Sequence, residues 1–251
     1  MKILITGASS GIGKEIARKA ASRYDEMVIA GRNSERLEEL RSELTEKYGI
    51  KVSVFAADLS IQENCIRLFE ENKDVHLLVN NAGFGDVGAF DKTSLNKDTQ
   101  MIQTNIIAMH TLMKLYLGEM KKRGSGHILN TASMAGFFPG PLMSTYYATK
   151  AYVVSISEAV REELRREGSE VTVSILCPGP VSTGFGKAAN VDFHFEGFSR
   201  TPQKIASYAL KKLPSFYIIP GIEIKAARFL SHILPASFSA KVIYNIQNNK
   251  N

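Results

Sequence analysis

The amino-acid sequence predicts an α/β protein: one doubly wound parallel sheet of about seven strands with helices on both faces, in a single domain. Three observations carry that expectation. Short β-branched runs alternate with longer helical patterns from the first residue to about residue 220, and such alternation produces parallel strands joined by crossover helices. Most of the runs are apolar throughout, as strands covered on both faces are. A glycine-rich turn, Thr6-Gly7-Ala8-Ser9-Ser10-Gly11-Ile12-Gly13, stands between the first run and the first helical pattern.

The expected strands are residues 2–6, 27–30, 51–56, 75–80, 127–131, 171–176 and 216–219. Between them, Ile12, Ile16 and Ala20 mark the first helix and Leu37, Leu40 and Leu44 the second. Ile102, Ile106, Met109, Met113, Tyr116 and Met120 recur at spacings of three and four and predict one long helix with a core-facing stripe. No internal repeat, low-complexity tract or linker argues for a second domain. The irregular stretch is residues 178–199.

Composition narrows the function classes. With 251 residues, 44% of them hydrophobic, the chain can bury a full core as one domain. Its formal net charge of +6 suits an anionic ligand or surface, or simply a solvated basic exterior. No nucleic-acid module accompanies that charge, so no nucleic-acid partner is expected. No apolar run approaches the roughly 18 residues of a membrane span, and Met1 leads into Lys-Ile-Leu-Ile-Thr and glycines, unlike a secretory signal. Two distant cysteines, Cys65 and Cys177, and five isolated histidines offer neither a disulfide framework nor a metal site. These features point to a cytoplasmic protein without a metal.

Two segments carry chemistry. Gly7, Gly11 and Gly13 lie where backbone N–H groups of Ser9, Ser10, Gly11, Ile12 and Gly13 at a helix start can face a phosphate. Tyr146-Tyr147-Ala148-Thr149-Lys150 sets a phenol one helical turn from an ammonium. A carbonyl reduced by hydride transfer needs a proton donor at its oxygen, and Tyr146 is the candidate, with Tyr147 as rival. Lowering a tyrosine from about 10 to about 7 takes roughly 4 kcal/mol. An exposed ion pair supplies only about 0–1 kcal/mol, so the site has to be partly enclosed.

Cofactor choice turns on Gly31-Arg32, about 20 residues after the glycine turn, where an NAD-preferring fold places a carboxylate. A guanidinium there can grip the additional phosphate of NADP, so NADP(H) is the expected cofactor. The alternative is that Arg32 is only a surface residue.

As a whole, TGASSGIG resembles the short-chain dehydrogenase/reductase family, with its Rossmann-like fold. Asn80-Asn81-Ala82-Gly83, Asn105, Ser133, the YxxxK pattern and Pro178-Gly179 extend the resemblance over most of the chain. It implies that Tyr146 is the general acid/base, that Lys150 also binds the nicotinamide ribose, that Ser133 hydrogen-bonds the substrate oxygen, and that Asn105 holds a proton-supplying water chain. It further implies that Ser9 assists the NADP phosphate. Asp58, with Leu59, would meet adenine, Asn80, Ala82 and Gly83 the adenosine ribose region, and Pro178, Gly179, Val181 and Thr183 the nicotinamide. Asp58 could equally be a helix cap.

The resemblance also implies a substrate lid at about residues 184–200, holding Phe185, Phe193, Phe195 and Phe198. Together with Met134, Phe137, Phe138, Leu142 and Met143, these rings suit an apolar carbonyl or alcohol substrate, or else they simply pack the loop. An acyl thioester is the alternative substrate, and a non-catalytic NADP-binding regulator the alternative function. The chain departs from the family's Gly-rich V-D-G-G ending on which its tetramer relies, which leaves a homodimer as the expected assembly. Residues 1–221 would form the main domain and 222–251 a helical extension packed on it. In that extension Ile222, Ala226, Phe229, Leu230, Ile233 and Leu234 form an apolar stripe beside Lys225, Arg228 and His232. The stripe has three uses open to it: covering the substrate cleft, a subunit contact, or peripheral contact with a membrane surface.

Overall fold

The computed structural model describes residues 1–181 and 200–248. Seven parallel strands form one sheet: β1 (Lys2–Thr6), β2 (Glu26–Gly31), β3 (Lys51–Ala56), β4 (Leu77–Asn80), β5 (His127–Thr131), β6 (Thr172–Leu176) and β7 (Tyr217–Ile218). Their order is β3-β2-β1-β4-β5-β6-β7. The chain therefore winds one way from β1 to β3 and the other way from β4 to β7, and the reversal between β1 and β4 opens a crevice at the carboxyl ends of those strands. β1 and β4 are almost wholly buried because they lie inside the sheet, whereas edge strand β3 alternates exposed and covered residues.

Helices α1 (Gly11–Ala20), α2 (Ser34–Tyr48) and α7 (Pro202–Lys212) cover one face, burying Ile16, Leu37, Leu40, Leu44 and Ile205 against Ile3, Ile5 and Ile29. On the other face α3 (Gln62–Glu70), α5 (Met109–Arg123) and α6 (Ser144–Arg166) bring Leu68, Met113, Tyr116 and Val153 against Leu4, Leu78 and Ile128. Helices α8 (Ile222–Ser231) and α9 (Ala236–Asn248) follow the sheet.

One expectation needs correction. The single long helix is α4 (Leu95–Ile102), a π-helical turn over Gln103–Ala108, and α5. The wider turn shifts the helix face, so Ile102 is exposed while Met101 and Asn105 are buried. Spacings of three and four do not reveal an added residue in one turn. In the extension, Ile222, Phe229, Leu230 and Ile233 of the expected apolar stripe are exposed, and α8 packs inward through Ile224.

Candidate active site

The glycine turn leaves the buried end of β1 and closes on the loop after β4. Gly7 adopts φ +66, and a Cβ there would come within 2.9 Å of the Ala82 Cα, while a Cβ on Gly13 would lie 2.6 Å from Asn81 Nδ2. Only glycine permits both the left-handed backbone and this approach. Thr6 completes the junction: its Oγ1 accepts the backbone N–H groups of Asn81 at 2.9 Å and Ala82 at 3.0 Å. Asn81 Nδ2 donates to the carbonyl of Thr6 at 3.1 Å.

Helix α1 begins at this junction with no acidic residue in its first turn, and the Ser10 side chain makes no capping hydrogen bond. The N–H groups of Gly11, Ile12 and Gly13 thus keep a positive helix end free of competing carboxylate, which fits the phosphates of a dinucleotide. Arg32 is exposed directly after β2, and a Cβ on its neighbour Gly31 would lie 3.5 Å from Ser9 Oγ. The structure therefore sets a guanidinium-bearing residue next to one that abuts a hydroxyl, at the strand end beside the glycine turn.

Other residues expected at the cofactor divide. Asp58 Oδ1 accepts the Ser60 N–H at 2.9 Å in the turn before α3, whose N-cap is Ile61 rather than Asp58. The Leu59 side chain is buried in the core. Asn80 also turns inward, with Nδ2 donating to Asn130 Oδ1 at 3.0 Å, so a ligand could use only its backbone. Ala82 and Gly83 border the crevice through the junction with Gly7, and a Cβ on Gly83 would stand 3.5 Å from Lys150 Nζ. Pro178 accepts the Met134 N–H at 2.9 Å, fixing the turn that carries Ser133. Gly179 lies against Ile224 of α8, and Val181 bridges to Arg200. Thr183 and the four lid phenylalanines lie outside the described residues.

Asn105, Ser133, Tyr146 and Lys150 converge from three elements. Tyr146 and Lys150 share one face of α6, with Lys150 Nζ 5.9 Å from the Tyr146 ring centroid. Ser133, at the start of a short 3-10 helix after β5, accepts the Ala135 N–H at 3.1 Å and lies near enough to the Tyr146 phenol to favour its ionised form. Lys150 Nζ donates to the Thr131 carbonyl at 2.9 Å. Asn105, turned inward by the π-helical segment, donates to the Phe84 carbonyl at 2.9 Å and to Thr149 Oγ1 at 3.0 Å, and accepts the Phe84 N–H at 3.1 Å. It thereby ties the loop after β4 to α6.

Burial sets the ionisation of the pair. It pushes the Tyr146 phenol up to about 12, opposed by the Ser133 hydrogen bond, and brings the Lys150 ammonium down to about 8. A proton therefore stays on the phenol at neutral pH, beside a largely charged ammonium. Leu142, just before α6, holds a left-handed backbone with φ 64. Such strain gathers at functional sites. Among the described residues no group of His, Cys, Asp or Glu could hold a metal ion.

Tyr147 is engaged differently. Its ring stands edge-on to Tyr146 with centroids 6.2 Å apart, and its hydroxyl accepts Gln247 Nε2 at 3.1 Å. Gln247, buried near the end of α9, also reaches Met143 Sδ at 3.4 Å. Sequence reasoning missed Gln247, Thr6 and Thr149. Nothing local marks a glutamine a hundred positions from its partner. Gln247→Leu leaves the half-buried Tyr147 phenol without this partner. We expect it to lower stability by about 1–2 kcal/mol, read as a fall of roughly 2–8 °C in thermal unfolding; an unchanged midpoint would refute the contact's importance.

A family model described as short chain dehydrogenase matches residues 1–192. The very-long-chain 3-oxoacyl-CoA reductase of Anas platyrhynchos is 34% identical over 76% of this chain and 62% of its own length. The chain thus spans less than two thirds of that relative. A short-chain dehydrogenase from Sphingobium yanoikuyae in complex with NADPH superposes with a TM-score of 0.84 at 28% identity, covering 92% of both chains. A short chain dehydrogenase/reductase from Burkholderia phymatum in complex with NAD gives 0.82 at 28% identity, again over 92% of each. With its glycine turn, crevice and convergent Asn-Ser-Tyr-Lys set, the chain belongs to the short-chain dehydrogenase family.

Proposed function

We propose that this protein is an NADP(H)-dependent oxidoreductase that interconverts a ketone and a secondary alcohol with an apolar body. One observation carries the reading: the Tyr146 phenol stands beside Ser133 and is backed by the buried Lys150, whose Nζ lies 5.9 Å from its ring centroid. When bound, the nicotinamide would supply or accept the hydride. The turn from Gly7 to Gly13 would hold the pyrophosphate, Ala82, Gly83 and the Asn80 backbone the adenosine ribose, and the loop from Pro178 to Val181 the nicotinamide.

Ser133 would orient the substrate oxygen toward Tyr146, whose phenol donates its proton as negative charge develops on that oxygen. Lys150 would stabilise the phenolate left behind, and burial strengthens that interaction over an exposed pair. Asn105 would keep the loop and α6 in register for proton resupply. The protonated phenol is the form that carbonyl reduction consumes. Two buried free cysteines suit a reducing, cytoplasmic setting.

The cofactor preference rests on Arg32 and Ser9. Arg32→Asp replaces a phosphate-gripping charge with a repelling one, so kcat/KM for NADPH should fall roughly 10–100-fold, in line with about 1.5–3 kcal/mol for a charge-assisted hydrogen bond. NADH turnover should be held or gained. An unchanged ratio of the two would remove NADP from the reading.

The duck relative's name favours a second substrate class, the 3-oxoacyl thioesters. Following NADPH oxidation against steroids, aliphatic ketones, sugars and 3-oxoacyl thioesters separates the two. Turnover of sugars alone would contradict the apolar substrate.

A further inference from the structure

Helix α8 is amphipathic in the unexpected sense. Its inner face carries Ile224, buried in the core, and Arg228, whose guanidinium lies 3.7 Å from the Tyr217 ring centroid and 3.8 Å from Glu158. Ile222, Phe229, Leu230 and Ile233 recur at the spacing of the opposite face. Phe229 is 66% exposed and Ile222 78% exposed. After Pro235 the apolar surface resumes on α9 at Phe238, Val242 and Ile246, all exposed, while Ser239 and Gln247 turn inward. Exposed apolar side chains gathered on helix faces in this way mark a contact with something apolar.

Charge selects the occupant. Across residues 222–248 the sole carboxylate is Glu223, and it is already paired with Arg200 at 2.9 Å. Lys225, His232 and Lys241 are exposed along the same two helices. In a two-fold contact between copies each surface meets its own equivalent, so cations would face cations with no free carboxylate between them. An anionic lipid surface offers the complement to both features: headgroups for the lysines and an acyl boundary for the rings and aliphatic side chains. No helix among the described residues is long and apolar enough to cross a membrane, so the contact is one of lying on the surface.

We propose that the outer faces of α8 and α9 form a docking surface for an anionic bilayer. Because Gln247 of α9 touches the tyrosine beside Tyr146, docking sets the catalytic end of α6 near the lipid, where an apolar substrate concentrates.

The test is sedimentation of the full chain with vesicles of phosphatidylcholine, with or without phosphatidylserine, alongside light scattering without lipid. Wild type should bind the phosphatidylserine vesicles preferentially. The Phe229→Asp/Ile233→Asp double variant should lose that binding by about tenfold or more, with unchanged mass, circular dichroism and turnover of a water-soluble ketone. Lys225→Glu/Lys241→Glu should lose only the preference for the anionic vesicles. Absence of vesicle binding by wild type, equal binding to both compositions, or a mass that drops in the Phe229/Ile233 variant would overturn the proposal, the last by revealing a subunit contact. Loss of turnover in Tyr146→Phe with vesicle binding intact keeps this inference separable from the catalytic one.

Discussion

Tyr146→Phe is expected to lower turnover by roughly 10²–10⁴-fold, the usual contribution of a positioned proton donor, while NADPH still binds. The substitution removes one oxygen and leaves the ring between Tyr147 and Lys150, so the packing of α6 is retained. Phenylalanine cannot donate to an oxyanion, and Ser133 alone offers a hydroxyl too weakly acidic to replace it. Tyr147→Phe is the control. It should stay within about fivefold of wild type, because that phenol is held by Gln247 and makes a positioning contact worth only about 1 kcal/mol. Steady-state kinetics with fluorescence titration of NADPH decides the matter: equal activity in the two variants would refute the assignment of Tyr146.

Lys150→Met should cost activity and, at neutral pH, raise stability. The lysine lies buried, with its ammonium brought down from 10.5 to about 8 by desolvation. Below about pH 8 the folded protein carries a buried charge that the unfolded chain keeps in water, a penalty of about 3 kcal/mol for a shift of that size. Between about 8 and 10.5 the unfolded chain holds the proton that the folded chain has released, so wild-type stability rises with pH through that window. Methionine fills a similar volume and loses the hydrogen bond to the Thr131 carbonyl, about 1 kcal/mol. The variant should therefore be more stable than wild type by about 2 kcal/mol at pH 7, seen as a midpoint roughly 4–8 °C higher. Above pH 10.5 the order should reverse, since only the lost hydrogen bond remains. Turnover should fall about 10²-fold or more, with a raised KM for NADPH. Equal midpoints at every pH would show that the ammonium is not desolvated as the fold implies.

The seven-strand sheet was legible in the sequence because its signals are local: apolar runs, a glycine turn, leucines at helical spacing. Six of the runs became strands with ends shifted by two residues or fewer, and the seventh shrank to Tyr217–Ile218 because only those residues find ladder partners on β6. Tyr146 and Lys150 could be picked out by type and spacing, and Ser133 through the family resemblance. Their meeting depends on β5 and α6 being neighbours, which spacing does not encode. The π-helical turn that buries Asn105 left no trace in the pattern of apolar residues. Periodicity identified an apolar face on α8, but it could not say that Ile224 and the stem of Arg228 would take the inward side and leave that face outward.

The hydroxyl of Thr6 accepts two backbone amides from across the reversal between β1 and β4, and its own proton points to the Val79 carbonyl at 3.4 Å. Prying the two walls apart would strip all of these bonds together. The chain's own bonds thus hold the two walls of the groove in one shape, which lowers the entropy cost of ordering it on association. Whatever changes shape during a catalytic cycle must lie elsewhere than at this seam.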